Sequence, residues 1–168
     1  DLEAFLGPQG WLPVEYLREE IHRHEWSVWS LFFWTESTWL LWTVHIVALV
    51  VFFCLMIGLF SRPMAVLAFL FAVSYAHRVS PGAFFGLDKI NCLLALYLML
   101  GPCGARYSVD RIRRLRRGDA GPALPSTWAT VAIRLIQLHL CIIYLCSGMA
   151  KLSGENWQAG TAVWWTVA

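Results

Sequence analysis

Lys151 ends a long apolar run, Ser147-Gly148-Met149-Ala150-Lys151, just before the polar turn Leu152-Ser153-Gly154-Glu155-Asn156-Trp157. An amine at the end of such a segment has two fates. Its stem can carry the charge out to lipid headgroups, or it can turn inward to a shared cavity, where an ionisable group marks a ligand or proton path. Stepping back by seven residues gives Tyr144 and then Gln137, with Ser147 one turn away, so a polar stripe shares the helical face of the lysine. The stripe is either a hydrogen-bonding seam between helices or the wall of a ligand cavity. Arg134 and His139 are expected off this face, the first pairing or snorkelling and the second hydrogen-bonding inside the bundle.

Asp88-Lys89 is a second candidate pair. It reads either as a salt-bridged helix start, where the dipole favours the carboxylate, or as part of the cavity. His77-Arg78 ends an apolar segment, where cations complement the helix dipole. Arg78, Asp88 and Lys89 can then line one water-accessible depression together with Lys151. His22 and His24 diverge on a helix and lack a third ligand, and His45 stands alone, so no metal site is expected.

Composition defines the elements that must position these groups. The 168 residues are 58% hydrophobic and 14% charged, with a mean hydropathy of +0.57, which exceeds the apolar content of ordinary soluble domains. The expectation is an all-α fold, a polytopic helical transmembrane bundle with a short interfacial helix, whose first partner is the lipid bilayer. The net charge of +2 points to no nucleic-acid partner, because six of the thirteen basic residues (Arg106, Arg111, Arg113, Arg114, Arg116, Arg117) share one loop with a membrane explanation. Five cysteines without C-x-x-C spacing indicate neither a disulfide framework nor a zinc site.

Apolar segments are predicted over residues 38–60, 64–77, 90–101 and 127–150, with a fifth opening at Thr161. The second and third are short for a span. The arginine loop makes residues 104–122 cytoplasmic, and counting crossings puts residues 1–37, the turn containing Ser80 and residues 152–160 on the non-cytoplasmic side. An aromatic belt (Trp11, Trp26, Trp29, Trp34, Trp39, Trp42) and an amphipathic surface helix over 13–25 fit that side. Because the chain opens at Asp1 and stops inside an apolar run, residues 1–168 read as one transmembrane domain of a longer protein, with helices missing at both ends.

The run Arg134-Leu135-Ile136-Gln137 … Tyr144 … Ser147-Gly148-Met149-Ala150-Lys151-Leu152 … Trp157 … Gly160, with Gly86-Leu87-Asp88-Lys89 and Tyr107-Ser108-Val109-Asp110, resembles the HTTM domain. That membrane region is shared with vitamin K-dependent gamma-carboxylases. The opening Asp1-Leu2-Glu3-Ala4-Phe5-Leu6-Gly7-Pro8 … Gly10-Trp11-Leu12-Pro13 is similar to the same family, so the resemblance covers nearly the whole chain. It implies a lyase-type enzyme in which Lys151 is the base that deprotonates reduced vitamin K or a related quinol. Desolvation favours the neutral amine that this role needs. Gln137, Tyr144, Ser147, Arg78, Asp88, Lys89, Asn91 and Trp157 would line the substrate and cofactor cavity. A protein or peptide substrate would approach from the non-cytoplasmic side. The chain carries Ala150 where the carboxylases have a second lysine, and Asn91-Cys92 where they have a histidine. Two other functions remain open: a non-enzymatic maturation or export factor for a secreted peptide or toxin, and a small-solute transporter.

Overall fold

The computed structural model describes residues 2–25, 28–79, 86–119, 121 and 125–167. All regular structure among them is helical: α1 (Leu2–Leu6), α2 (Val14–Arg23), a 3-10 turn (Leu31–Trp34), α3 (Thr38–Ile57), α4 (Ser61–Val79), α5 (Gly86–Leu100), α6 (Val109–Arg116), α7 (Thr127–Ser153), α8 (Glu155–Gln158) and α9 (Ala162–Val167). Trp26 and Ser80, both used in the topology reading, lie outside the described residues.

Two of these helices, α3 and α7, are long and apolar enough to cross a membrane. Ser37 Oγ accepts the Leu40 N–H at 3.3 Å to start α3. Gly58 stops it in the left-handed region, at φ +69°. The bonds Leu59 N–H to Cys54 O (2.8 Å) and Gly58 N–H to Leu55 O (3.0 Å) close a Schellman turn there. A side chain at Gly58 would also collide with Ser108 Cβ, 2.3 Å from the position of an added Cβ. Ser126 caps α7 by the same device, accepting Ala129 N–H at 3.4 Å. That helix runs 27 residues, about 40 Å at 1.5 Å per residue, so Lys151 is still helical.

The second segment is longer than the 64–77 expected from sequence, and α4 spans 19 residues. The cause is remote in the chain. Asp110, in the first turn of α6, accepts Phe60 N–H at 3.0 Å and Ser61 N–H and Oγ–H at 2.8 and 2.9 Å, filling the donors at the start of α4. Pro63 lies in that first turn, where its missing N–H costs nothing. At the other end, Ser30 Oγ donates to Ser74 O at 2.7 Å while Ser74 Oγ accepts Leu31 N–H at 3.2 Å. The two fully buried serines thereby fasten the 3-10 turn to α4.

Ala48 and Val51 of α3 pack on Ala68 and Phe71 of α4, and Leu6, Phe32 and Leu41 form a second cluster towards α1. Small residues at the first contact let the two backbones approach closely. Beyond it, α3 leaves Ile46, Val47, Leu49, Val50, Phe53 and Met56 exposed, and α7 buries only Ala132 among its described residues. Apolar faces of that extent need a covering that water does not provide.

Helices α3, α4, α5 and α7 alternate in direction. Phe52 and Leu55 of α3 share a groove with Ala68 of α4 and Leu98 of α5, whereas Val79 lies by Asp88. Gly101, just past α5, sits against Ala132 near the start of α7, and Ile90 lies beside Ile143. The arginine-rich segment, expected to be a loop, contains α6 and joins the end of the bundle made by Gly58, Ser61 and Gly104. Arg78, Asp88 and Lys151 are at the opposite end. The expected surface helix over 13–25 is α2, with Val14 and Leu17 inward and Arg23 paired to Glu19 and Glu20 at 3.1 and 2.9 Å on its outer face.

Candidate functional site

A groove of about 450 Å³ runs between α3, α4 and α5. Its apolar length is set by residue size. Ala68, Ala72 and Ala76 recur every fourth position on α4 and so share one face, leaving space that larger side chains would fill. Phe52 and Leu55 wall one side, and Leu94, Ala95 and Leu98 the other. The polar groups gather where α4 ends and α5 begins. Asp88 and Asn91, three residues apart on α5, both line the groove, together with Tyr75.

Tyr75 is held from two directions. Its ring packs on buried Phe32 with centroids 4.8 Å apart, and its hydroxyl lies 2.7 Å from His45 Nδ1. His45 is therefore a satisfied partner in the helix pair, as its isolation in sequence suggested, and it gives the tyrosine proton a partner behind the groove. A carboxyl group, a carboxamide and a phenol at one end of an apolar slot form a donor and acceptor set suited to a hydroxylated or carbonyl-bearing head on a hydrophobic body.

Of the residues singled out from sequence, Asp88 and Asn91 enter this groove. Arg78 does not. It is fully buried, and its Nε and one terminal nitrogen donate to Leu6 O and Gly7 O. It caps the C-terminal carbonyls of α1 rather than those of its own helix, and its other terminal nitrogen, Nη1, has no hydrogen-bond partner among the described residues. His77 Nδ1 lies 2.8 Å from Trp29 O. Lys89 is exposed.

The polar stripe of α7 faces the other way. This helix presents Ile136, His139, Leu140 and Ile143 to α5, so Gln137, Tyr144, Ser147 and Lys151 are all exposed. His139 hydrogen-bonds within the bundle as expected, with Nδ1 3.0 Å from the Tyr97 hydroxyl. Arg134 is not off the stripe. It lies one turn from Gln137 and donates to its Oε1 at 3.0 Å.

Lys151 and Trp157 do come together. After α7 the chain reverses at Gly154, where an added Cβ would lie 3.2 Å from Trp157 Cδ1. Gln158 Nε2 donates back to Leu152 O at 2.7 Å. The reversal lays the indole under the amine, with Nζ 4.7 Å from a ring centroid, a cation–π contact.

Sequence reasoning missed Tyr75, the fourfold alanine spacing and the Asp110 clamp. Ala68, Ala72 and Ala76 were readable as a period, and Ser108 before Val109-Asp110 is a helix-start signal: its Oγ accepts Arg111 N–H at 3.1 Å. Among the described residues, no three His, Cys, Asp or Glu side chains gather as metal ligands. Compared with protein-family models, with curated proteins and with solved structures, the chain matches none.

Proposed function

We propose that this chain is an integral membrane protein of the HTTM type that holds a lipid-soluble quinol, such as reduced vitamin K, in the groove between α3, α4 and α5. In this reading α3, α4, α5 and α7 form the membrane bundle. Residues 104–122 are cytoplasmic, and residues 1–37 and 152–160 lie on the other side. The observation that carries the proposal is the groove itself: apolar along its length, with Tyr75, Asp88 and Asn91 in its lining at one end.

The residues present fit such a group. The alanine face and Leu94 and Leu98 take the isoprenoid or ring body, and Asp88, Asn91 and the Tyr75 hydroxyl hold the polar head. When bound, a reduced quinone supplies the reducing equivalents for reaction with oxygen. Lys151, at the same end of the bundle but outside the lining of the groove, is the proposed general base for a quinol head that projects beyond the groove, its amine accepting the hydroxyl proton. The antiparallel run of α5 and α7, which brings the start of one to the same end as the finish of the other, supports this role. A peptide or protein substrate would arrive from that end.

The stacking of Lys151 on Trp157 favours a second reading, a non-catalytic membrane factor for maturation or export of a secreted peptide. There the lysine anchors the end of α7, and the groove holds lipid or peptide. One experiment separates the two. Lipid extracts of the purified protein are assayed by mass spectrometry for quinone, alongside Ala72→Phe, which fills the groove. Quinone carried by the wild type and lost from Ala72→Phe is the expected result. Equal quinone in a folded Ala72→Phe protein, or none in either, would remove the quinol proposal.

A further inference from the structure

The end of the bundle opposite Asp88 and Asn91 carries a second depression, of about 550 Å³, built where α6 meets the start of α4. Four arginines line it: Arg62 from α4, and Arg113, Arg114 and Arg117 from α6 and its C-cap. Asp110 is the acidic residue in the same lining, so the formal balance is four positive charges against one negative. That carboxylate is already engaged, since its two oxygens accept Phe60 N–H, Ser61 N–H and Ser61 Oγ–H. Among the described residues none of the four guanidinium groups has an ion pair, whereas Arg23 has two.

The arginines are also organised. Arg114 is fixed by donating to Gly104 O at 3.2 Å and Asp110 O at 3.4 Å. Arg113 lies over the Phe60 ring, 5.9 Å from its centroid. Planar guanidinium groups held around a concave surface match the oxygens of a phosphate ester, which each can meet through two parallel N–H donors. The second observation is the other face of α6. Ile112 and Leu115, three residues apart, are 50% and 53% exposed, so the helix is basic on the pocket side and apolar beside it. A helix of that kind rests at the boundary of a bilayer whose lipids are anionic.

We propose that this pocket binds the phosphate group of an anionic phospholipid. The inference rests on the membrane reading above, which puts the arginine end in the headgroup layer. It gives the arginine cluster a binding role beyond the setting of orientation.

The test uses the whole protein in nanodiscs of phosphatidylcholine, with and without phosphatidylglycerol, measuring retained lipid by native mass spectrometry and thermal melting. The wild type should retain phosphatidylglycerol and melt higher in its presence. The Arg113→Gln/Arg117→Gln pair should lose retention on the order of 100-fold, at roughly tenfold for each charge-assisted hydrogen-bonding group removed from the phosphate. Its melting in pure phosphatidylcholine should fall only slightly, by what the exposed Arg113–Phe60 contact and the Arg113 charge near Asp110 contribute. Arg116→Gln removes the same kind of charge from α6 outside the pocket and should cost no more than about fivefold, the diffuse worth of one interfacial charge. An equal loss in Arg116→Gln would reduce the effect to diffuse charge and overturn the site. Stabilisation by inorganic phosphate equal to that by lipid would overturn the lipid assignment in favour of a soluble phosphate. Release of the protein from membranes by alkaline carbonate would remove the underlying membrane reading and is seen independently of either binding result.

Discussion

At the scale of single residues, two side chains carry consequences that experiment can reach. Asp110 pins the start of α4. Partial burial raises its carboxyl pKa, but the hydrogen bonds from Ser61 and Phe60 and the nearby Arg113 outweigh that and hold it below the ordinary value of 3.8. A depressed folded value means that the contribution is complete above the unfolded value and disappears as the pH falls through the folded one. Asp110→Ala should therefore cost roughly 1 kcal/mol at neutral pH, the lower part of the range for lost helix caps because water reaches the carboxylate. The deficit should shrink as the pH falls below the ordinary carboxylate value, as read by thermal melting in detergent from neutral pH into acid. A deficit independent of pH would mean that the carboxylate is not the stabilising species. Lys151 is the other. Lys151→Met keeps the stem, so removing an exposed cation–π contact should cost no more than about 1 kcal/mol. Activity on a reduced quinone should fall by roughly 10²–10⁴-fold if the amine is the base. Retained activity would make Lys151 an anchor for α8.

The elements show which signals are local. The starts of α3 and α7 were legible and are fixed by Ser37 and Ser126 on their own helix ends, whereas α3 stops at Gly58, short of the expected residue 60, and α7 runs on to Ser153, past the expected residue 150. The ends of α4 were not legible, because Asp110, 49 residues away, fills one and Ser30 fastens the other. No inspection of residues 61–79 alone discloses either. The segment bearing α6 was read as a loop because its charge dominated, although Ser108 and Asp110 marked a helix start. The candidate site divides the same way. Asp88 was legible as a charge at a helix start and Asn91 entered only through the family resemblance, whereas the polar stripe of α7 was visible but not the face it turns to α5. Facing is decided by the partner, here by Tyr97 bonding His139. At Gly58, Gly58→Ala should cost roughly 1–3 kcal/mol, since an L-residue is strained at that φ and the added methyl meets Ser108. An unchanged melting temperature would mean that the α3–α4 turn relaxes freely.

At the scale of the whole molecule, the alternating helices give the two ends different chemistry: arginines and a clamp at one, an amine, a carboxylate and the mouth of a groove at the other. If the arginine end is cytoplasmic, a cysteine replacing Asp119 in a cysteine-free background should resist an impermeant thiol reagent on intact cells, and one replacing Ser153 should react. The opposite pattern would invert the orientation. Asp119 is preferred to Gly118, whose φ of +77° would strain any side chain. The Asp110 clamp also bears on the order of synthesis. When Ser61 leaves the ribosome, its capping partner has not been made, and the next 49 residues take roughly 3–10 s at ordinary elongation rates. Throughout that interval the first amides of α4 depend on water or on the insertion machinery, so the newborn α3–α4 hairpin is completed only when α6 emerges. A chain released before residue 110 would carry its apolar helices without the bolt that closes their turn, a truncation that quality control could recognise by that open end.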